Sequence, residues 1–258
     1  MKTLLVSLAG IAGFIVGAVV VHIAEAAMAH RPLTRPKCPY CTTPYTLVQW
    51  SALLAVLTGK RRCQQCHKLI RVPRLIGELY VGLSWVLLVY YYGDSPRIWL
   101  SMLATLPLAM VVVTDLEAKL IPNIIVLPSI VVMLILGTIL GPALPALVTW
   151  RWWDSLVGAL VGFIILRLLI WFGVALFGEG ALGEGDMTLA TYVGAVVGFP
   201  LIVESLILTI VLGGIGAVLV LIAKRGSLKS AIPYGPFVAL GASVCMIWGA
   251  AILHWYVT

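Results

Sequence analysis

The sequence contains little charge. Only 10% of its 258 residues are Asp, Glu, Lys or Arg, and 62% are apolar, with a mean hydropathy of +1.09. Soluble domains carry about 25% charged residues, and a soluble core cannot absorb so much apolar surface. Apolar runs of about 20 residues, each long enough to cross a hydrocarbon layer, recur along the chain. We therefore predict an all-α polytopic membrane protein.

Three further absences exclude other classes of protein. The apolar runs do not alternate with polar residues, which sets aside a transmembrane β-barrel. No period of 20–50 residues repeats, so a duplicated transporter half loses its support. The net charge is +7, but the cations occupy loops and are not interleaved with aromatic residues. No nucleic-acid partner is expected.

We expect about eight transmembrane helices. Their predicted spans are 3–28, 76–93, 97–116, 122–141, 154–178, 186–199, 201–223 and 234–257. The first span resembles a secretory signal peptide because Lys2 precedes it, but its apolar core exceeds the usual length of about 7–15 residues. A retained helix is therefore the interpretation, and a cleaved signal is the alternative.

The distribution of Lys and Arg predicts the orientation. Thirteen of them fall in loops on one face, three on the other, and Arg167 lies inside a helix. The rich face carries Arg31, Arg35, Lys37, Lys60, Arg61, Arg62, Lys68, Arg71, Arg74, Lys119, Lys224, Arg225 and Lys229, and the poor face carries Lys2, Arg97 and Arg151. The positive-inside rule makes the rich face cytoplasmic, with both termini outside.

Residues Ala29 to Leu75 form the only long region that is not a predicted apolar span. This region contains two C-x-x-C pairs, Cys38 and Cys41 followed by Cys63 and Cys66, separated by 21 residues. Such spacing is typical of a tetrahedral zinc site, and four cysteine ligands favour a structural role over a catalytic one. Disulfides or redox-active pairs are the alternative, which a cytoplasmic location disfavours. Cys245, in the last span, is interpreted as a packing residue.

Charged residues within apolar segments are costly and are candidates for function. They are Glu25, Glu78, Asp115, Asp154, Arg167, Asp186 and Glu204. Solvation at helix ends explains Asp154, Glu25 and Glu78. Structural pairing of Arg167 and Glu204, with each other or with Asp154, is the preferred interpretation for these deeper residues.

Asp115 and Asp186 differ from the other candidates because local sequence shapes the backbone around them. Asp115 ends the third span shortly before Pro122, and Asp186 opens the sixth within Gly183-Glu184-Gly185-Asp186, where glycines permit close approach and unusual dihedrals. Facing carboxylates can share one proton and so supply a base and an acid for peptide hydrolysis. A helix cap at Asp186 and a helix-end charge at Asp115 are the alternatives.

At these residues the chain resembles the prepilin peptidase (type IV leader peptidase) family of GxGD-type intramembrane aspartic peptidases. The resemblance runs from about Pro36 to Gly241. It rests on the two C-x-x-C pairs, Ile121-Pro122-Asn123, the G-x-G-D motif followed by Leu189, and residues 232–237, Ile-Pro-Tyr-Gly-Pro-Phe. Presenilin-like proteases share G-x-G-D but lack the cysteine loop.

The resemblance implies a bacterial inner-membrane enzyme that removes the basic leader of type IV prepilins or pseudopilins, in pilus assembly or protein secretion. Asp115 and Asp186 inherit the catalytic roles, and the four loop cysteines the zinc. Glu117, Glu179 and Glu184 are candidate contacts for the leader. Members with the loop commonly also methylate the new N-terminus using S-adenosylmethionine. The implied division is 1–29 first helix, 30–75 cytoplasmic four-cysteine zinc loop and 76–258 membrane-embedded peptidase domain.

Two departures from the family pattern concern the finer activity. Residues 18–30 contain no asparagine, although the family has an asparagine motif there, followed by Arg-x-Pro, of which Arg31-Pro32 resembles a part. This departure weakens the expectation of methyl transfer. Thr188 stands where a lysine commonly follows the second aspartate by two residues. A transporter or a membrane scaffold with a structural zinc loop is the alternative from a different class.

Overall fold

The structure is a computed structural model that describes residues 2–29, 32–93, 95, 98–140, 151–177, 183–223 and 233–257. These ranges contain ten α-helices, and their only β-structure is two isolated bridges. The helices are α1 Lys2–Met28, α2 Leu47–Trp50, α3 Ala52–Leu57, α4 Val72–Tyr92, α5 Ile98–Ala118, α6 Asn123–Leu140, α7 Asp154–Phe177, α8 Glu184–Val197, α9 Leu201–Ile222 and α10 Gly235–Val257. The predicted all-α fold is confirmed.

Eight of these helices coincide with the predicted spans, and seven of the eight are long and apolar enough to cross a membrane. The largest difference is at α4, which begins at Val72 rather than at residue 76. The exception among the eight is α8, with 14 residues, which extend only about 21 Å at the helical rise. A short helix is tolerated at membrane depth where protein covers it.

Helix α8 lies at the centre of the helix bundle. Its residues from Leu189 to Val197 are almost all buried, in a core shared with α5, α6, α7, α9 and α10. The hydroxyl of Tyr192 donates a hydrogen bond of 2.8 Å to the carbonyl oxygen of Ala104 in α5. The helix that carries Asp186 is thereby fixed to the helix that carries Asp115.

Glycines bring the membrane helices close together. A Cβ on Gly194 of α8 would lie 2.1 Å from the carbonyl oxygen of Gly158 in α7, and one on Gly162 would lie 2.5 Å from that of Ala190. Small residues at such contacts let helix backbones approach in the absence of a hydrophobic driving force. Helix α1 packs on α4 in the same way, with Gly17 against the backbone of Glu78.

Buried charges attach the loop between α1 and α4 to these helices. Glu78 is fully buried and accepts hydrogen bonds of 2.7 Å from both Ser51 Oγ and the Ala52 amide, and one of 3.0 Å from the Leu53 amide. The expectation that Glu78 is solvated at a helix end is wrong, since its carboxylate caps α3. Arg74, 1% exposed, forms an ion pair with Glu25 at 3.1 Å.

The expected pairing of the deeper charges is also wrong. Arg167 is exposed on α7 and makes no ion pair with Glu204 or Asp154, all three being residues that the structure describes. Both carboxylate oxygens of Glu204 are buried without a hydrogen-bond partner. Asp154 instead accepts the amide of Arg151 at 2.8 Å, just before α7. The predicted residues Arg31, Arg97, Glu179, Lys224, Arg225, Lys229 and Ile232 lie outside the described ranges.

Candidate active site and metal centre

Asp115 lies near the C-terminal end of α5 and is 6% exposed. Its Oδ2 accepts a hydrogen bond of 2.7 Å from the amide of Gly235, the first residue of α10. A Cβ on Gly235 would lie 2.9 Å from Val111 Cγ1 and 3.0 Å from Asp115 Oδ2. The close contact therefore needs glycine, and it aims the positive end of the α10 dipole at the carboxylate.

Asp186 lies in the first turn of α8, on the side of the bundle where α5 ends. One carboxylate oxygen accepts the amide of Gly183 at 3.0 Å, and Gly183, not Asp186, is the N-cap residue. Gly183 has an ordinary extended conformation, with φ −94° and ψ 156°, so the expected unusual dihedral is absent there. Gly185 instead provides close approach, since a Cβ on it would lie 2.9 Å from Ile121 Cβ.

Asp186 is close enough to Asp115 for its charge to act on the Asp115 carboxylate. The charge of Asp186 also reaches Tyr234, which precedes α10. Burial raises the pKa of Tyr234 to about 12, and the nearby Asp186 carboxylate contributes to this rise. The N-termini of α8 and α10 and the C-terminus of α5 thus meet at one site that holds two carboxylates.

The short connection between α5 and α6 forms another wall of this site. Asn123, at the start of α6, has its Oδ1 3.1 Å from the hydroxyl of Thr188 in α8. The same hydroxyl lies 2.8 Å from the carbonyl oxygen of Gly185, so it can donate to one acceptor at a time. Thr188, which departs from the family pattern, therefore ties Asn123 to the helix of Asp186.

The acidic residues suggested for leader contacts have different environments. Glu117 is almost buried and is paired with Arg71 at 2.7 Å, so it is not a free acidic group. Glu184 is exposed next to Asp186. The Arg71–Glu117 pair joins the start of α4 to the end of α5, which puts the cysteine loop and Asp115 at the same end of the bundle.

The four loop cysteines converge on one point. Their sulfurs all lie within 4.8 Å of one another, with Cys38 Sγ 3.6 Å from Cys66 Sγ and Cys41 Sγ 3.5 Å from Cys63 Sγ. A disulfide needs about 2.05 Å, whereas tetrahedral zinc with bonds of about 2.3 Å holds sulfurs about 3.8 Å apart. The set therefore fits a zinc ion, and the disulfide alternative does not fit.

The two C-x-x-C pairs have the same local backbone structure. Thr42 and His67, each following a second cysteine, have positive φ angles of 59° and 54°. Their amides donate to the carbonyl oxygens of Cys38 and Cys63 at 2.9 and 3.1 Å. An isolated β-bridge closes each turn. These paired turns aim all four sulfurs at a common centre, as a structural metal site requires.

Comparison with known proteins shows which family this arrangement is similar to. Residues 100–218, which include both aspartates, match the model of the type IV leader peptidase family. This segment, a little under half of the 258 residues, is similar to that family. The predicted resemblance and the prediction of an enzyme of this kind are confirmed. The matched segment excludes the cysteine loop and the start of α10, so the assignment of the peptidase fold rests on α5 to α9.

Three curated proteins extend the similarity to most of the chain. Each is named prepilin leader peptidase/N-methyltransferase. The relative from Aeromonas hydrophila is 27% identical over 87% of this chain and 75% of its own length. That from Pseudomonas putida is 28% identical over 85% and 74%, and that from Bacillus subtilis 23% identical over 86% and 85%. No solved structure matches the chain significantly.

The sequence did not indicate two parts of this site. One is Gly235, which contacts Asp115 through its backbone amide, a bond between residues 120 positions apart. The other is the set of buried charges, Arg74 and Glu78, that attaches the cysteine loop. The sequence motif at residues 232–237 includes Gly235. The contact of Gly235 with Asp115 depends on helix packing, which the motif does not predict.

Proposed function

We propose that the chain is a prepilin leader peptidase that uses Asp115 and Asp186 as its acid–base pair. The main support is that two carboxylates, from α5 and α8, lie together at one end of the helix bundle. Residues 100–218 of that bundle match the leader peptidase family. The substrates are type IV prepilins or pseudopilins, as the names of the curated relatives suggest.

In the proposed mechanism the aspartate pair holds one proton. The ionised carboxylate takes a proton from a water molecule, whose oxygen attacks the carbonyl carbon of the scissile peptide bond, and the protonated carboxyl donates to the carbonyl oxygen. The tetrahedral intermediate then collapses as the C–N bond breaks. One hydroxyl of the intermediate returns its proton to the ionised carboxylate while the protonated carboxyl donates to the leaving amine, so the pair again holds one proton.

Backbone amides position both carboxylates for this chemistry. Gly235 and Gly183 each donate to one oxygen, at 2.7 and 3.0 Å, so the other oxygens are directed to the water and the peptide. Hydrogen bonds fixed before the reaction reduce the reorganisation that it requires. The contact of Thr188 with Asn123 holds the α5–α6 connection against the N-terminus of α8.

Cleavage of synthetic prepilin by the full chain tests the proposal. Asp115→Asn and Asp186→Asn each remove one member of the pair, and we expect a rate at least about 10²-fold lower, as general acid–base catalysis contributes. Asp154→Asn is the matched control, because Asp154 lies beside Phe199, after the C-terminal end of α8, whereas Asp186 lies in the first turn of that helix. Full activity in either site variant rules out the mechanism. Ion flux without cleavage of any prepilin favours the transporter alternative.

Methyl transfer is a second proposed activity, favoured by the second half of the relatives' names. S-adenosylmethionine would supply the methyl group, and the new N-terminal amine would receive it. Mass spectrometry of both cleavage products, with the methyl donor present, tests it. A processed substrate that gains one methyl mass supports the transferase, and cleavage without added mass counts against it.

We further propose that the zinc is structural and that this end of the bundle faces the bacterial cytoplasm. Four cysteine thiolates satisfy a tetrahedral ion without leaving a position for water. The described cations of the cysteine loop, the cysteine cluster and both aspartates share this end, and the sequence distribution of Lys and Arg supports its cytoplasmic location by the positive-inside rule. The division into first helix, zinc loop and peptidase domain remains a proposal.

A further inference from the structure

An apolar face on the zinc loop has no partner within the described part of the chain. Each of the short helices α2 and α3 exposes two large apolar side chains three residues apart: Leu47, 78% exposed, and Trp50, 39%, in α2, and Leu54, 50%, and Leu57, 72%, in α3. The two pairs follow one another on either side of Ser51 and leave large apolar surface exposed. We call it the α2–α3 face, defined by these four residues.

The few polar side chains of this segment are occupied elsewhere. Gln49 is buried and donates to the carbonyl oxygens of Lys60 and Arg62 at 3.0 and 2.8 Å. The hydroxyl of Ser51 donates to Glu78. The exposed surface of the segment is therefore almost entirely apolar, although the region was expected to be the one long non-apolar stretch.

The contact with Glu78 fixes the depth of the face. Glu78 lies six residues after the first residue of α4, about 9 Å along the helix axis. It also packs on Gly17, which lies eleven residues before the end of α1, about 16 Å along that helix. If both helices cross a hydrocarbon layer of about 30 Å and α4 begins at its boundary, the contact places the start of α3 inside that layer.

Charge at the end of the segment completes the pattern. Lys60, Arg61 and Arg62 follow α3 directly, and all three are exposed. Trp50, with its indole Nε1 3.3 Å from the carbonyl oxygen of Tyr45, combines an apolar ring with a satisfied polar atom, as tryptophans at membrane interfaces do. An apolar helical face flanked by cations is typical of segments that lie in the interface of an anionic membrane.

We propose that the α2–α3 face is embedded in the membrane leaflet nearest the cysteine loop. Residues 60–62 are then bound to anionic lipid headgroups. The zinc loop is then a monotopic anchor as well as a metal site. It is held in the plane of the membrane beside the aspartates instead of projecting into solvent. This inference rests on the membrane span of α1 and α4 and does not depend on the proposed peptidase activity.

Depth measurement by spin labelling tests the proposal on the full chain in nanodiscs that hold one copy each. A ketone-bearing amino acid replaces Leu57, and a nitroxide is attached to the ketone, which leaves the cysteines untouched. The matched control carries the label at Gln64, which is exposed on the second cysteine turn. We expect the label at 57 to be reached by oxygen and shielded from a water-soluble nickel chelate, and the reverse at 64.

Varying the lipids, the substrate and the number of copies distinguishes lipid from a prepilin or a second copy of the chain as the partner of the α2–α3 face. Shielding at 57 should increase when phosphatidylglycerol is added to phosphatidylcholine, and the Lys60→Gln, Arg61→Gln, Arg62→Gln variant should lose that increase. Equal water access at 57 and 64 overturns the proposal. Shielding that appears only with added prepilin, or only with two copies per disc, overturns it in favour of a substrate or dimer surface. Amide hydrogen exchange in the unsubstituted chain is a check that needs no label. We expect exchange over residues 47–57 to be slower when phosphatidylglycerol is present.

Discussion

Single residues at the candidate site act through backbone approach as much as through their side chains. Gly235 contributes one amide hydrogen to Asp115, and it can do so because no Cβ separates the start of α10 from Val111 and Asp115. Gly185, next to Asp186, likewise lets helix α8 approach Ile121 closely. The two carboxylates are therefore set by the packing of helix ends, and small shifts there should affect catalysis.

Gly235→Ala should lower the rate of leader cleavage by about 10²-fold, the cost of a displacement of about 1 Å at a catalytic group. The new Cβ would approach Asp115 Oδ2 to 3.0 Å and force the two helix ends apart. The rate constant of cleavage at saturating prepilin is the measurement. Gly214→Ala is the control, because a Cβ on Gly214 meets nothing within 4 Å. Equal rates for the two variants would show that the contact is not required.

At the scale of elements, buried charge attaches the cysteine loop to the long helices, and the proposed zinc ion would join its two cysteine turns. Its two turns are small, and a metal supplies the cross-link that such segments lack. We expect one zinc ion per chain by elemental analysis. Cys38→Ser combined with Cys63→Ser should lose it, since each turn then offers a single thiolate, whereas Cys245→Ser in α10 should retain it. Absence of zinc from the purified chain would contradict the metal assignment.

Glu78 connects the cysteine loop to helix α4 through hydrogen bonds to the start of α3. Glu78→Ala removes three hydrogen bonds from α3, and bonds to a charged group contribute about 1.5–3 kcal/mol each. We expect zinc to be released to a chromophoric chelator at least about tenfold faster than from the unaltered chain. Glu204→Ala is matched in residue type and in its position within a long apolar helix, and Glu204 makes none of the hydrogen bonds that hold α3. Similar release from both variants would mean that Glu78 does not stabilise the loop.

At the scale of the whole molecule, composition and local pattern predicted the eight long helices and the convergence of the cysteines. These features depend on apolar length and on ligands close in sequence. The failures concern contacts between distant elements. The apolar segment 47–57 was not recognised as helical because it is short, so the partner of Glu78 was unexpected. The predicted pairing of Arg167 with Glu204 is wrong. Two charged residues at similar depth within apolar helices need not face each other, because the sequence does not give the rotation of each helix about its axis.

The orientation of the molecule gives the last prediction. If the face with thirteen of the Lys and Arg residues is cytoplasmic, an alkaline phosphatase domain fused after Thr258 should be active, because that enzyme folds only outside the cytoplasm, where disulfides form. The same domain fused after Gly59, in the cysteine loop, should be inactive, and a fluorescent protein should show the opposite pattern. The fusion after Gly59 is the control, because only α1 crosses the membrane between the N-terminus and this site. A reversed pattern would put the aspartates on the outer face and so exclude cleavage of leaders from the cytoplasmic side.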